Sequence, residues 1–186
     1  MEEYRALLAP LDVELRFPFE FDPQIDVVED GDTYLENARK KAIAYVRLTD
    51  RLTIADDSGL EVDALGGAPG LHSARYVEGT DEERVEALLR NLEGVPWEER
   101  TARFRCVLVA ALLDHDKYSA EGVCEGKIAF EPAGEGGFGY DPIFYLPERG
   151  VTMAQVTSHV KNQISHRARA VQAALPFLKR VLDNER

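Results

Sequence analysis

Long apolar runs are missing from this chain of 186 residues. No stretch reaches the roughly 18 consecutive apolar residues that mark a membrane-spanning helix, so no membrane partner is expected. Cysteine is scarce as well. Cys106 and Cys124 stand alone, both at strand-like positions. That excludes a disulfide-stapled scaffold and fits reduced core thiols in a cytoplasmic protein. Cations are outnumbered: Lys plus Arg count 22 against 34 Asp plus Glu, for a net charge of −12. A chain this acidic is a poor general binder of nucleic acid, although a few cations converging locally can still hold a small anion. Met1-Glu2-Glu3 opens on acid with no apolar stretch behind it, so no secretory signal is expected.

What is present reads as one domain over residues 1–186. The apolar fraction is 45%, enough for a substantial core with or without a small second lobe. No repeat, low-complexity tract or interdomain linker interrupts it. Residues 2–8 read as a helix closed by Pro10, and residues 13–17 alternate like a strand. Thr33 with Glu36 predicts a capping box, followed by a helix with Leu35, Ala38, Ala42, Tyr45 and Val46 inward. Thr80 with Glu83 predicts a second, stopped by Gly94 and Pro96. The acidic first turn of that helix suits the helix dipole and needs no function. Residues 101–113 form a strand that is apolar at its centre, which implies cover on both faces. Residues 114–117 turn the chain, with His115 a plain turn residue, and residues 118–130 return as its partner. Ile164, Ala168, Val171, Leu175 and Leu178 predict one final helix bent near Pro176.

Three places carry candidate chemistry. The first is Leu52-Thr53-Ile54-Ala55-Asp56-Asp57-Ser58-Gly59, an apolar run rising into two carboxylates. It reads as a buried strand that Ser58 and Gly59 end, delivering acid at its tip, where open α/β sheets bind ligands. Only one of Asp56 and Asp57 can then face a given crevice, because strand side chains alternate. The same four residues also make an ordinary polar turn. The second is the loop at residues 133–142, where Gly134, Gly136, Gly137 and Gly139 allow close backbone approach and Phe138 and Tyr140 offer flat faces. A hairpin loop with an aromatic plug is the plainer alternative. The third is the acidic cluster Glu29, Asp30 and Asp32, either a solvated loop or a cation site. Lys40 and Lys41 lie off their helix's apolar stripe. Lys161, His166 and Arg167 spread too widely for one face of a single helix.

Taken together, the motifs resemble the inosine triphosphate pyrophosphatase family. They are Thr33-Tyr34-Leu35-Glu36-Asn37-Ala38, Ala55-Asp56-Asp57-Ser58-Gly59-Leu60, Leu65-Gly66-Gly67-Ala68-Pro69-Gly70 with Ser73-Ala74-Arg75-Tyr76, Arg103-Phe104-Arg105, Gly136-Gly137-Phe138-Gly139-Tyr140-Asp141-Pro142, and Lys161 with Ile164-Ser165-His166-Arg167. The resemblance implies an α/β fold with a long twisted mixed central sheet, helices and a smaller second lobe, with a cleft between the lobes. It implies a homodimer that hydrolyses ITP, dITP or XTP to the monophosphate and pyrophosphate with Mg²⁺. Asp57 matches the catalytic acid and a metal ligand, with Glu29 as the second ligand. Ser58 and Lys41 match substrate contacts. Phe138, Gly139, Tyr140 and Asp141 match the base-binding loop, and Lys161, His166 and Arg167 match the residues that hold the nucleotide.

The family pattern also opens with a β-strand and a Thr/Ser-x-Asn-x-x-Lys phosphate loop. Met1 falls about where that loop's lysine stands, so the expectation is that the reading frame continues upstream. Two other functions follow from the same residues: a nucleotide-binding homodimer impaired in turnover, and hydrolysis of other modified nucleotides.

Overall fold

The computed structural model describes residues 2–22, 25–113 and 115–184, with the side chains of His115, Asp116 and Lys117 left aside. Asp114, at the expected turn, therefore lies outside the described residues, as does the side chain of His115. Five strands form one sheet in sequential order: β1 (Thr53–Val62), β2 (Thr101–Leu112), β3 (His115–Ile128), β4 (Phe144–Leu146) and β5 (Val151–Thr152). β3 pairs antiparallel with β4 through Ile128 and Phe144, and β4 antiparallel with β5 through Leu146 and Val151. The chain divides into two compact units, one comprising Met1–Asp57, Cys106–Gly122 and Arg167–Arg186, the other Ser58–Arg105 and Val123–His166.

In the first unit the centre of β2 is covered on both sides, as its apolar run requires. Cys106, Leu108 and Ala110 pack with α1 (Glu2–Leu8) and α5 (His166–Asn184), against Leu7, Leu8, Ala168, Ala170, Val171, Ala174 and Leu178. Val109 and Ala111 join Ala38, Ala42 and Val46 of α2 (Tyr34–Thr49). The split between odd and even positions is the two-residue period of a strand. Thr33 Oγ1 accepts from Glu36 N at 3.1 Å, as expected of a cap, but the Glu36 carboxylate accepts from Asp32 N instead of from Thr33. Residues 12–17 form no strand; Val13 and Leu15 pack on the α5 core without joining the sheet.

In the second unit, Leu60, Val62, Phe104, Ile128, Ile143 and Phe144 pack against Val85 and Leu88 of α3 (Asp81–Asn91) and against Leu92, its C-cap. Thr80 and Glu83 make the reciprocal capping box predicted for that helix. At the other end of α3, buried Arg100 donates to Leu92 O, Val95 O and Ala129 O at 2.9, 3.2 and 2.9 Å. The C-terminal carbonyls of a helix have no partners within it, and a buried guanidinium supplies several donors at once.

Two expectations change here. Ser58 and Gly59 do not end the first strand; β1 runs on to Val62, because Leu60 and Val62 are fully buried in the second core. Asp56 and Asp57 thus sit mid-strand rather than at a tip. The final helix is also two. α4 (Ser158–Ile164) stops at Ser165, which is extended at φ −64° and ψ 156°, and α5 begins at His166. Ile164 packs in the second core and Ala168 in the first, so no single stripe connects them. Pro176 lies inside α5.

Candidate active site

Two constellations emerge, one in each unit. In the first, α2 presents Asn37 and Lys41 four residues apart, hence on one face, toward β1. Lys41 Nζ donates to Asp57 Oδ1 at 3.2 Å and to Glu29 Oε2 at 2.9 Å. Asn37 Nδ2 donates to Asp57 Oδ2 at 3.1 Å. Both oxygens of Asp57 are therefore engaged by α2, one by a charged donor and one by a neutral donor. Burial pushes the Asp57 carboxyl up and nearby Glu29 adds to this; Lys41 and Asn37 pull it down, and it ends above its ordinary value. A carboxylate with raised basicity beside an ammonium suits proton transfer. Among the described residues, no three His, Cys, Asp or Glu side chains converge as a metal cluster.

Asp56 faces a different set of groups. Arg167 donates from Nε and Nη2 to Asp56 Oδ2 at 3.3 and 3.2 Å, and from Nη1 to Glu3 Oε2 at 2.8 Å. Its guanidinium lies 5.7 Å from the centre of the Tyr4 ring. Burial alone raises Asp56, but the charge of Arg167, with Tyr4 and Lys41, outweighs it and holds the carboxyl below its ordinary range. Arg167 in turn is held firmly protonated. The structure thus places Arg167 with Asp56 and Glu3.

The second constellation is the Gly-aromatic loop. Gly137 sits at φ +77°, and a Cβ there would run into the Asp141 carboxylate, so only glycine fits. Asp141, almost fully buried, accepts from Phe138 N at 2.9 Å and pairs with Lys161 of α4. Lys161 Nζ lies 4.4 Å from the centre of the Phe138 ring, which is itself exposed. Tyr140 OH donates to Ser73 O at 2.9 Å. Ser73 Oγ donates to Gly70 O and accepts from Leu60 N, tying the Gly-rich segment 66–76 to β1. The His166 ring stacks on Phe104 at 4.8 Å and 15°. Ser58, half-buried, follows Asp57 in β1.

Sequence reading overlooked two participants. Asn37 carried a signal in its four-residue spacing from Lys41. Asp81, read as only a helix-dipole residue, accepts from Gly139 N at 2.8 Å and fastens the aromatic loop to α3. No local pattern marks a contact 58 residues apart.

Fold and site together define an α/β protein with an acid–lysine cluster set into a strand and a lysine-backed aromatic loop. The chain belongs to the Ham1 family, whose profile matches residues 1–177. It is 53% identical over 173 residues to the dITP/XTP pyrophosphatase of Geobacillus kaustophilus, spanning 92% of this chain and 85% of that protein. With the dITP/XTP pyrophosphatase of Desulforamulus reducens it shares 49% identity over 97% of this chain and 91% of the other. A HAM1 protein from Coxiella burnetii superposes with a TM-score of 0.86 at 40% identity, covering 98% of this chain and 92% of that one.

Proposed function

We propose that this protein is a nucleoside triphosphate pyrophosphatase that hydrolyses dITP, ITP and XTP to the monophosphate and pyrophosphate. The observation that carries the proposal is Asp57: a buried, raised carboxyl whose two oxygens are engaged by Lys41 and Asn37 beside Glu29. Its family membership and the names of its close relatives supply the substrate class.

Water adds across the anhydride between the α- and β-phosphates, and pyrophosphate leaves. Asp57 takes the proton released from the attacking water. Lys41 balances charge beside it. Glu29 and Asp57 offer hard oxygen donors of the kind Mg²⁺ takes, one or two carboxylates with waters and phosphate oxygens completing the set, so the residues fit that ion. Bound there, Mg²⁺ supplies charge neutralisation for the phosphates. Phe138 stacks on the base, with Lys161 and Asp141 beside the ring. A 6-oxo purine presents an acceptor where adenine presents an amino group, so donors aimed at that position reject adenine by being left unpaired. We propose further that the protein works as a homodimer in the cytoplasm.

Initial rates with dITP, XTP, ITP and ATP, with pyrophosphate and orthophosphate measured separately, test this function. Pyrophosphate release from the first three and little turnover of ATP is expected. Orthophosphate release, or equal rates with ATP, contradicts it.

A further inference from the structure

Resting on the function proposed above, we infer that Asn37 is a positioning residue whose amide joins the loop carrying Glu29 to the carboxyl of Asp57, fixing the spacing of the two acids that flank Lys41.

Asn37 is only 1% exposed, yet both ends of its amide are used. Oδ1 accepts from Gly31 N at 2.8 Å, two residues beyond Glu29. Nδ2 donates to Asp57 Oδ2 at 3.1 Å. The partners settle the orientation of the amide, since a backbone N–H requires the oxygen and a carboxylate requires the nitrogen. The approach of the loop is itself specified. A Cβ at Gly31 would stand 2.8 Å from Asn37 Oδ1 and 2.8 Å from Glu36 Cβ, so any larger residue pushes the loop away. Lys41 then takes the remaining oxygen of Asp57 and reaches Glu29 Oε2. One amide therefore sits at the junction of loop, helix and strand. A side chain that only accepts or only donates serves one side of that junction.

Two readouts separate positioning from packing: Mn²⁺ affinity of the nucleotide-free full-length protein by electron paramagnetic resonance, and kcat against KM for XTP with Mg²⁺. Buried groups that orient ligand side chains typically change metal affinity or activity by about 10- to 100-fold. Asn37→Ala is expected to weaken Mn²⁺ binding about ten-fold and lower kcat about ten-fold, with KM for XTP shifted less than about three-fold. Asn37→Asp keeps the shape, loses the donor and adds a like charge beside Asp57, so its loss is at least as large. Gly31→Ala, which disturbs the junction from the loop side, gives the same pattern, and it decides the matter if Asn37→Ala fails to fold. Wild-type-like Mn²⁺ affinity and kcat in the folded variants, with only a lowered Tm, overturn the positioning role while leaving the proposed function standing. Failure of the wild-type protein to release pyrophosphate from XTP overturns the function instead.

Discussion

Asp56 and Asp57 share a peptide bond and carry opposite electrostatics. Asp56, clasped by Arg167, is held below the ordinary carboxylate range, while Asp57, buried beside Lys41 and Asn37, is pushed above it. Strand alternation sends the two side chains to different surroundings, so one stays an anion that anchors the start of α5 and the other gains basicity for chemistry.

The Asp56–Arg167 pair makes a stability prediction. Removing one partner of a fully buried ion pair leaves the other charge uncompensated, at a cost of about 3–5 kcal/mol; this pair is part-buried, with side chains 16% and 17% exposed, which reduces the cost. Asp56→Asn is expected to lie at the lower end, since Arg167 keeps Glu3 at 2.8 Å. The sign with pH follows from the lowered folded value. The contribution of Asp56 is fully present above the unfolded carboxylate pKa of about 3.9 and is lost as pH falls through the lower folded value. Denaturant melts of both proteins between neutral and acidic pH check this: the gap between wild type and Asp56→Asn is wide at neutrality and closes in acid. A gap independent of pH contradicts the assignment.

Phe138 is 57% exposed, so its removal disturbs little of the core. Base–aromatic stacking is worth about 1–3 kcal/mol. Phe138→Ala is therefore expected to raise KM for dITP by about ten-fold or more, with Tm nearly unchanged. Phe138→Tyr retains the flat face and restores most of the binding. Steady-state kinetics of the two variants decide it.

Arg100 tests the fold independently of the chemistry. Its guanidinium satisfies carbonyls of Leu92, Val95 and Ala129 and covers the Phe130 ring at 4.3 Å. Leaving buried acceptors unpaired costs about 1–3 kcal/mol each, with partial relief from water. Arg100→Ala is expected to lose about 3 kcal/mol of stability, read from urea unfolding, while activity per folded molecule stays at the wild-type level.

How much of this was legible in the sequence depends on the range of each interaction. Both helix N-caps, the apolar centre of β2 and the alternation at Asp56 and Asp57 are local patterns, and they could be read directly. The family motifs placed Glu29, Lys41 and Asp57 in one site, and the structure joins them within hydrogen-bonding distance. Residues 13–17 failed because alternation suits any segment with one face on a core: Val13 and Leu15 pack on the α5 core without joining the sheet. The end of β1 was misplaced because Ser58 and Gly59 look like a turn, whereas burial of Leu60 and Val62 outweighs that preference. The break at Ser165 was hidden since serine is tolerated in helices; only the separate cores claimed by Ile164 and Ala168 require it. Arg167 was grouped with Lys161 and His166 by motif, and its ion pairs with Asp56 and Glu3 span 111 and 164 residues.

The most direct measurement is the turnover of XTP by Asp57→Asn, beside wild type and at saturating Mg²⁺, followed by pyrophosphate release. The amide keeps the shape and loses the base, and general-base catalysis contributes roughly 10²- to 10⁴-fold. A fall in kcat of that size with a wild-type Tm is the predicted result; an Asp57→Asn protein that releases pyrophosphate within a few-fold of the wild-type rate contradicts the account.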